Sequence, residues 1–384
     1  MFDQMLILLS LIAAALSLAL GVGFWHTVRR LGTLSASRGS RDEFRDIVVD
    51  AVLPARNEES DLEKAVLSIL NQQSVQIRVI VVNDHSTDRT REIADSLARR
   101  DCRVTVIHDP RLIDGWLGKT NAMRHGLAES TAPYVVFADA DVIHAPQCFV
   151  SALGELKNRQ IDFLSLCPSF EFESFWENAL LPHSFIAGTL QFAMQRINDD
   201  VSPNAAAAGA FMITRREVLQ RVSGLERIKS EVLDDVALAT LIKHSGFRTR
   251  MTFAPDLVRV RLFKGNRDAF WGLTKNILAA LDHVWMAVPA MFLPVFVYWI
   301  PIATAALGVM RQNAMMIAAG LSAYVVQAGL LLILVRLCRF RLAKALCFPL
   351  AAIPVMCCIA KALYYRCARE AVAWRGRVLP LAEG

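Results

Sequence analysis

Two aspartates separated by one residue follow an apolar stretch in the first half of the chain. Asp139 and Asp141 flank Ala140 directly after residues 134–138 (YVVFA). In extended backbone, side chains two residues apart point the same way, so the two carboxylates repel each other unless a cation lies between them. Such oxygen ligands suit Mg²⁺ or Mn²⁺ shared with substrate phosphates. The pair predicts a divalent-metal site; a solvated turn is the simpler alternative.

Asp84 and Lys119 also occupy positions where chemistry is expected. Asp84 follows the apolar residues 79–82, and its carboxylate can accept a hydrogen bond from a ligand such as the N3–H of uracil. Turn and capping chemistry is the alternative for this segment. Lys119 follows Gly118 at a predicted helix start. There its ammonium can pair with a diphosphate, although a surface lysine is a serious rival interpretation.

A second pair of carboxylates, Asp234 and Asp235, begins a helical pattern (DDVALATLIKHSG). Acidic side chains at a helix N-terminus are favoured by the helix dipole, and that alone can explain them. The functional interpretation is that Asp235 is a general base, which takes the proton from an attacking hydroxyl group. Asp234 would then help to orient Asp235.

The elements that must position these side chains alternate between strand and helix patterns. The predicted strands cover residues 47–53, 79–82, 104–108 and 134–138, and the predicted helices cover 61–70, 88–99 and 120–128. Short β-branched runs between helices predict a parallel sheet covered on both faces. Ligands of such sheets gather at the carboxyl ends of the strands. Pro54 and Glu58, just after the first predicted strand, belong to the same edge.

Several other chemistries lack their sequence signals. The chain contains no Gly-x-Gly-x-x-Gly and no Gly-x-x-x-x-Gly-Lys-Ser/Thr, so dinucleotide and P-loop binding are not expected. His85, His108, His125 and His144 do not have the spacing of a metal site. No stripe of aromatic and basic residues argues for nucleic acid, which is not an expected partner.

The composition indicates a membrane protein. Of the 384 residues, 54% are hydrophobic and 20% are charged, with a formal net charge of +6. Residues 5–25 form an uncharged apolar run long enough to cross a bilayer, which we interpret as an uncleaved anchor rather than a signal peptide. Two further spans are predicted at about 284–310 and 314–335. The last apolar run, 345–365, contains Lys361 and two prolines.

Arginines after the first apolar run place that side in the cytoplasm by the positive-inside rule. A full span at 345–365 would put the arginine-rich tail outside, against the same rule. Either this run is re-entrant or one of the earlier spans is misjudged, and the sequence leaves both alternatives open. The prediction is a multi-pass protein of the cell inner membrane with a cytoplasmic catalytic domain.

Six segments together resemble the family 2 glycosyltransferases, whose catalytic domain has the GT-A fold. They occur in the order found in that family and extend over nearly all of the polar middle of the chain. They are PARNE at 54–58, VVNDHSTD at 81–88, GWLGKTNA at 115–122, FADADV at 137–142, GAFMITRRE at 209–217 and LDDVALA at 233–239.

The resemblance implies a nucleotide-diphosphosugar donor and inversion at the anomeric carbon. Pro54 and Glu58 would lie among the substrate-binding residues, and Asp84 would bind the base, which favours uridine. Lys119 would be a donor-site lysine and Asp141 the main ligand of Mg²⁺ or Mn²⁺, with Asp139 near the ribose or the metal waters. Asp235 would be the catalytic base, and Asp234 stands where glutamate is common.

At a finer level the chain resembles the hopanoid-associated and ceramide glucosyltransferase-like branches of this family. The carriers are residues 173–177 (ESFWE), the segment from Asn198 to Gly209, and 374–377 (WRGR). Residues 267–271 (RDAFW) are the nearest match to the family's Q/R-x-x-R-W motif, with Phe270 in place of its second arginine. One helical face formed by Phe270, Ile277, Leu278, Leu281 and Trp285 predicts a helix at the membrane surface, with a packed core helix as the alternative.

These observations predict five segments: an anchor at 1–28, a GT-A α/β domain with a mostly parallel sheet at 46–265, an interfacial helix at 266–283, a membrane region at 284–365 and a basic tail at 366–384. The predicted function is sugar transfer to a lipid hydroxyl at the cytoplasmic membrane face, in hopanoid or related lipid synthesis. Phe175, Trp176, Leu180, Leu181, Phe185 and Ile186 would form the approach of the lipid, with ordinary core packing as the alternative. A metal-dependent nucleotidyltransferase and a non-catalytic membrane scaffold are the alternatives.

Overall fold

The computed structural model describes residues 1–36, 42–179, 193–261, 263–280, 284–338, 347–368, 372–374 and 377–379. It divides into two compact units. The central unit comprises the described residues of Val28–Ser169 and Phe192–Arg261. The membrane unit comprises the described residues of Met1–Thr27, Phe170–Gln191 and Leu262–Gly384.

The central unit is built on a seven-stranded sheet with the order β3-β2-β1-β4-β8-β6-β9. Strands β1 to β4 pair in parallel, as do β6 and β9, whereas β8 is antiparallel to both of its neighbours. The prediction of a mostly parallel α/β sheet is therefore confirmed.

Two smaller sheets have the orders β5-β10-β7 and β11-β12. In chain order, the strands of all three sheets are β1 Val48–Ala55, β2 Gln76–Asn83, β3 Val104–His108, β4 Tyr134–Phe137, β5 Val142–His144, β6 Phe163–Cys167, β7 Ser169–Phe170, β8 Met212–Arg215, β9 Thr249–Phe253, β10 Val258–Val260, β11 Val372–Trp374 and β12 Arg377–Leu379.

Helices cover this sheet because its central strands carry apolar side chains on both faces. On one face, Val52, Val82 and Phe137 pack with buried residues of the following helices. At Gly126 a Cβ atom would lie 2.3 Å from Cγ1 of Val52, so the helix that contains Gly126 lies directly against β1. The α-helices of the central unit are Leu62–Leu70, Thr90–Arg100, Gly118–Glu129, Cys148–Arg159, Arg216–Arg221 and Asp234–His244.

The register of the parallel strands aligns their carboxyl ends. Ala55 of β1 pairs with Asn83 of β2, and Asn83 pairs with His108 of β3. On the other side of β1, Val52 pairs with Phe137, the last residue of β4. The segments that follow these strands therefore leave the sheet at the same edge, as the sequence predicts for a parallel sheet.

The membrane unit contains long apolar helices. Its α-helices are Phe2–Leu31, Asn266–Ala280, Val284–Met310, Ala314–Cys338 and Ala352–Ala368, and a short 3₁₀ helix lies at Phe348–Ala351. Residues 28–31 of the first helix belong to the central unit. Among the described residues, four segments are long and apolar enough to cross a bilayer: Phe2–Leu31, Ala287–Met310, Ala314–Ile333 and Phe348–Ala368. These helices support an association with the membrane.

Polar contacts connect the membrane helices to each other. The Ser10 hydroxyl donates to the Thr304 hydroxyl across 2.8 Å, and the Gln327 side-chain amide donates to the Val297 carbonyl across 2.7 Å. A polar group in an apolar setting is costly unless it has a partner, so these paired groups fix how the helices align.

Candidate active site

The loops that follow β1 and β2 are joined by hydrogen bonds. The Asn57 N–H donates to the Ser86 hydroxyl at 3.0 Å, and the Thr87 N–H donates to the Asn57 side-chain oxygen at 2.8 Å. The Glu58 N–H donates to the Thr90 hydroxyl at 2.8 Å, and Glu58 is 4% exposed. Asn57 has a left-handed φ of 54°, a conformation that asparagine tolerates better than most residues. The two loops therefore form one rigid surface at the edge of the sheet.

Pro54 lies in β1 beyond the stretch that pairs with β4, because that pairing covers only Val49 to Val52. The missing N–H of proline thus interrupts no bond to β4. Asp84 comes directly after β2 and is 4% exposed. Its N–H donates to the Ala55 carbonyl at 2.8 Å, which fixes the start of the loop next to the end of β1.

The side chain of Asp84 lies 3.2 Å from Nδ1 of His85 through its Oδ1 atom. Arg56 donates from Nη1 to the Asp84 carbonyl at 2.8 Å. Asp88, two residues before the helix that starts at Thr90, accepts the Thr90 N–H at 3.0 Å and the Glu59 N–H at 3.1 Å. Asp88 therefore supplies the turn chemistry of this loop.

Lys119 is the centre of a cluster of charges. Its Nζ atom lies 2.9 Å from Oδ1 of Asp139 and 3.2 Å from Oδ2 of Asp234. The second distance is within ion-pair range but lacks hydrogen-bond alignment. The Lys119 side chain is 39% exposed, so solvent reaches part of it. Burial lowers the pKa of Lys119, but Asp139, Asp234 and Asp235 outweigh it and raise this pKa well above its usual value.

The Asp235 carboxylate is held by two backbone N–H groups. Oδ2 accepts from Gly209 at 2.9 Å, and Oδ1 accepts from Val236 at 2.8 Å. Burial and the negative charge of Asp234 raise the pKa of Asp235 to about 6. A carboxylate with such a pKa is both ionised at neutral pH and basic enough to accept a proton. Backbone donors, rather than Asp234, orient this side chain; Asp234 contacts Lys119 instead.

Gly209 lies between the two parts of this cluster. A Cβ atom at Gly209 would be 3.1 Å from Oδ2 of Asp139 and 3.3 Å from Nζ of Lys119. A glycine therefore allows the backbone to approach the ion pair while it donates to Asp235. No site role was predicted for Gly209, although it begins the segment GAFMITRRE at 209–217 that contributes to the family resemblance.

The start of the Lys119 helix is fixed by a distant carbonyl group. The Lys229 carbonyl accepts the Leu117 N–H at 2.8 Å and the Thr120 hydroxyl at 2.7 Å. Because Lys229 precedes the Asp234–His244 helix by a few residues, these bonds connect the helix that carries Lys119 to the segment that carries the two aspartates. This contact could not be foreseen from sequence spacing.

Of the expected site residues, the structure brings Lys119, Asp139, Asp234 and Asp235 into one cluster. Asp141 is half-buried and directly precedes β5. Within the part of the chain that the structure describes, no three His, Cys, Asp or Glu side chains are grouped as a metal site. Pro54, Glu58 and Asp84 lie at the ends of neighbouring strands at the same edge.

Residues 50–223 match the family model described as glycosyl transferase family 2. Residues 50–223 therefore form a domain of this family. The match and the fold confirm the predicted family and the GT-A-like α/β domain, and they favour a glycosyltransferase over a nucleotidyltransferase or a scaffold. Asp234 and Asp235 lie beyond the matched residues, so the assignment of the base stays a prediction.

Two relatives show the same relationship. The chain is 32% identical over 117 residues to the uncharacterized glycosyltransferase EpsJ of Bacillus subtilis strain 168, which is 30% of this chain and 33% of that protein. It is 29% identical over 240 residues to the 4,4'-diaponeurosporenoate glycosyltransferase of Staphylococcus aureus strain USA300, which is 61% of this chain and 62% of that protein. The chain thus spans about a third of the length of the Bacillus subtilis protein and less than two thirds of the length of the Staphylococcus aureus protein.

A solved structure has a similar fold. The mannosyltransferase PcManGT from Pyrobaculum calidifontis, in complex with GDP-Man and Mn²⁺, superposes with a TM-score of 0.54 and 18% sequence identity. The superposition covers 94% of this chain and 99% of that one. At this identity the likeness establishes the fold and leaves the donor, the acceptor and the metal of this chain to its own residues.

Proposed function

We propose that this protein is an inverting glycosyltransferase that moves a sugar from a uridine diphosphosugar to a lipid hydroxyl group. The observation that carries the proposal is the cluster in which Lys119 and Asp235 are held together through Asp139, Asp234 and Gly209. It combines a cation for a diphosphate with a base for a hydroxyl. Both groups are needed for one displacement at an anomeric carbon.

The donor would lie along the carboxyl edge of the sheet. Asp84, buried at the end of β2, is the proposed partner of the uracil N3–H, with Pro54 and Glu58 on the adjoining loop. Lys119 would pair with the diphosphate. Its ion pairs hold the ammonium in place before the donor binds, so little reorganisation is needed when charge develops on the leaving group.

Asp141, with Asp139, would hold a divalent cation that is shared with the donor. Both residues offer hard oxygen ligands, although no three ligand side chains are grouped as a metal site among the described residues. Diphosphate oxygens and water would complete the coordination, which is the usual arrangement for Mg²⁺ and also suits Mn²⁺. When bound, the cation offsets negative charge on the leaving diphosphate.

Asp235 would take the proton of the acceptor hydroxyl. As the hydroxyl oxygen forms its bond to the anomeric carbon, the bond from that carbon to the diphosphate breaks on the opposite face, and the configuration inverts. The N–H groups of Gly209 and Val236 fix the direction in which the Asp235 carboxylate points. That geometry sets where the hydroxyl group must lie.

A lipid acceptor is supported by the apolar helices and by the relative that is named a 4,4'-diaponeurosporenoate glycosyltransferase. We place the reaction at the cytoplasmic face of the inner membrane and favour a hopanoid or related lipid, on the resemblance of the chain. Phe175 and Trp176, part of the proposed lipid approach, form an edge-to-face pair with ring centroids 4.9 Å apart. Leu180, Leu181, Phe185 and Ile186 lie outside the described residues.

A screen of nucleotide sugars against membrane lipid extracts tests the proposal, with the glycolipid product detected by mass spectrometry. Asp141→Asn should abolish transfer while the protein stays in the membrane, because the cation loses its main ligand. Asp101→Asn is the matched control, since Asp101 pairs with Arg103 on the surface and should leave transfer unchanged. Full activity of Asp141→Asn would reject the metal assignment. If the uridine diphosphosugar is consumed only when a nucleotide acceptor is added, the lipid is rejected as the acceptor.

A further inference from the structure

We infer that the last apolar helix inserts into only one leaflet of the membrane, the leaflet on the side where the chain continues into the central unit. The segment Phe348–Ala368 then begins within the membrane and leaves it on that side, although its length and composition suit a full span. The inference uses contacts within the membrane unit alone and is independent of the reaction proposed above.

The two ends of the membrane unit are defined by its first three long helices. Asp3 forms an ion pair with Arg311, so the start of the first helix lies beside the turn after Met310. We call this level the distal end. At Gly21 a Cβ atom would collide with the Leu330 side chain, so these two helices also lie together further along. The other level, where the first helix leads into the central unit at Val28, is the proximal end.

Phe348 lies near the middle of these helices. Its ring is 5.0 Å from that of Tyr298 and 5.4 Å from that of Tyr324. Tyr298 is about 20 Å along the axis from either end of the Val284–Met310 helix, at about 1.5 Å of rise per residue. By the same rise, Tyr324 is about 15 Å from the distal start and about 20 Å from the proximal end of its helix. The segment therefore begins at mid-depth.

From Phe348 the chain runs towards the proximal end. Cys358 lies 3.6 Å from the Phe270 carbonyl through its Sγ atom, and the Lys361 ammonium lies 3.7 Å from the centroid of Trp271. The Trp271 ring is also 6.2 Å from that of Tyr365. Phe270 and Trp271 belong to the helix that follows the central unit after Arg261 and leads into the proximal start of the next span. The last turn of the segment is thus proximal.

The backbone at mid-depth satisfies the condition that a bilayer imposes. Irregular backbone is tolerated there only where protein covers it and pairs its polar groups. Phe348, Pro349 and Ala351 are buried, and the Trp299 indole N–H donates to the Pro349 carbonyl at 3.0 Å. Pro354 falls in the first turn of the following helix, where no intrahelical N–H bond is lost.

Charge placement agrees with insertion into one leaflet. A full span that began at Phe348 would bring Lys361 to about 20 Å, near the bilayer centre, where an ammonium group is costly. In the one-leaflet arrangement Lys361 reaches the proximal interface and lies over two aromatic rings, with Arg366 one turn further. Arg366 is then on the same side as Arg29 and Arg30, as the positive-inside rule requires.

Labelling of two native cysteines tests the sidedness. Cys102 in the central unit and Cys367 at the end of the last helix are both exposed. The full chain in sealed membrane vesicles is treated with a membrane-impermeant maleimide, and each cysteine is read out by peptide mass spectrometry. We expect Cys102 and Cys367 to be labelled from the same face of the membrane. Labelling from opposite faces would overturn the inference.

Cross-linking tests the depth of Phe348 separately. Tyr324→Cys combined with Phe348→Cys should form a disulfide on mild oxidation, whereas Leu331→Cys with Phe348→Cys should not. Leu331 is buried and lies two turns closer to the proximal end than Tyr324, towards the level at which a full span would place Phe348. The reverse result would contradict the inference. Loss of sugar transfer with an unchanged labelling pattern would concern the proposed function alone.

Discussion

Gly209 donates its backbone N–H to Oδ2 of Asp235 across 2.9 Å, while its Cα lies against the Lys119–Asp139 ion pair. One peptide group therefore connects the proposed base with the proposed diphosphate cation. Because the two groups share this backbone segment, a change at Gly209 should affect both proton transfer and donor binding.

Gly209→Ala should lower sugar transfer about tenfold or more, which corresponds to about 1.4 kcal/mol in the barrier. The new methyl group would be 3.1 Å from Asp139 Oδ2, so the ion pair must shift, while the backbone of Gly209 is not left-handed and accepts alanine. Gly154→Ala is the matched control: nothing lies within 4 Å of its Cβ position. In its helix alanine should add about 1 kcal/mol of stability. Equal activity of the two variants would contradict this role of Gly209.

The rate of transfer should depend on the ionisation of Asp235. Since burial and Asp234 raise its pKa to about 6, kcat/KM should fall tenfold per pH unit below that value and level off above it. Asp234→Asn removes the neighbouring negative charge, so the acid limb should move to lower pH. Asp199→Asn, an exposed change, should leave the limb in place. An acid limb that Asp234→Asn does not move would contradict the cause assigned to this pKa.

Lys243 should support the site from the far end of the Asp234–His244 helix. Its buried ammonium donates to the carbonyls of Ile197 and Asn204, each at 2.7 Å, and so holds the coil that leads to Gly209. Lys243→Met leaves both carbonyls without this donor and should cost about 1–3 kcal/mol of stability. Transfer should fall as well, even at temperatures where the variant is folded. Lys157→Met on the exposed surface should change stability by less than about 0.5 kcal/mol.

Asp50 should matter for stability and not for chemistry. It is fully buried in β1 and accepts hydrogen bonds from Arg78, the Ser130 hydroxyl and the N–H groups of Thr131 and Ala132. Burial raises its pKa, but these bonds outweigh burial and lower it below 3.8. Asp50→Asn should therefore cost about 3 kcal/mol at neutral pH.

The pH dependence of this loss has a definite sign. A lowered pKa contributes stability above the unfolded value of 3.8, and that contribution disappears as the pH falls through the folded value. The difference in unfolding free energy between wild type and Asp50→Asn should shrink in acid. Thermal unfolding followed by circular dichroism at several pH values measures it. If the difference in unfolding free energy between wild type and Asp50→Asn grows in acid, Asp50 is not held as the carboxylate.

Local pattern was enough to predict much of this fold. The strand β3 has the predicted bounds, and β1, β2 and β4 differ from prediction by a few residues at their ends. Alternation of strands and helices predicted their parallel pairing. The antiparallel strand β8 was not predicted, because its neighbours β4 and β6 are chosen by long-range pairing that no local pattern encodes.

The candidate site was likewise predictable only in part. The candidate residues were identified from residue type and position: Asp139 follows an apolar run, whereas Lys119 and the Asp234–Asp235 pair begin helical patterns. The groups that hold them were not found: the Gly209 N–H, the Lys229 carbonyl and the Lys243 ammonium act through contacts between distant segments. Asp50 did leave a signal, since a charged residue inside an apolar strand (IVVDAVL) must be paired once it is buried.

The most direct test of the central claim separates donor binding from transfer in Asp235→Asn. The full chain in lipid nanodiscs is measured by calorimetry for the Kd of a uridine diphosphosugar and by single-turnover assay for transfer to the lipid. The base assignment predicts an unchanged Kd and a transfer rate lower by about 10²–10⁴-fold, the usual contribution of a general base. A folded variant that transfers sugar at the wild-type rate would contradict it.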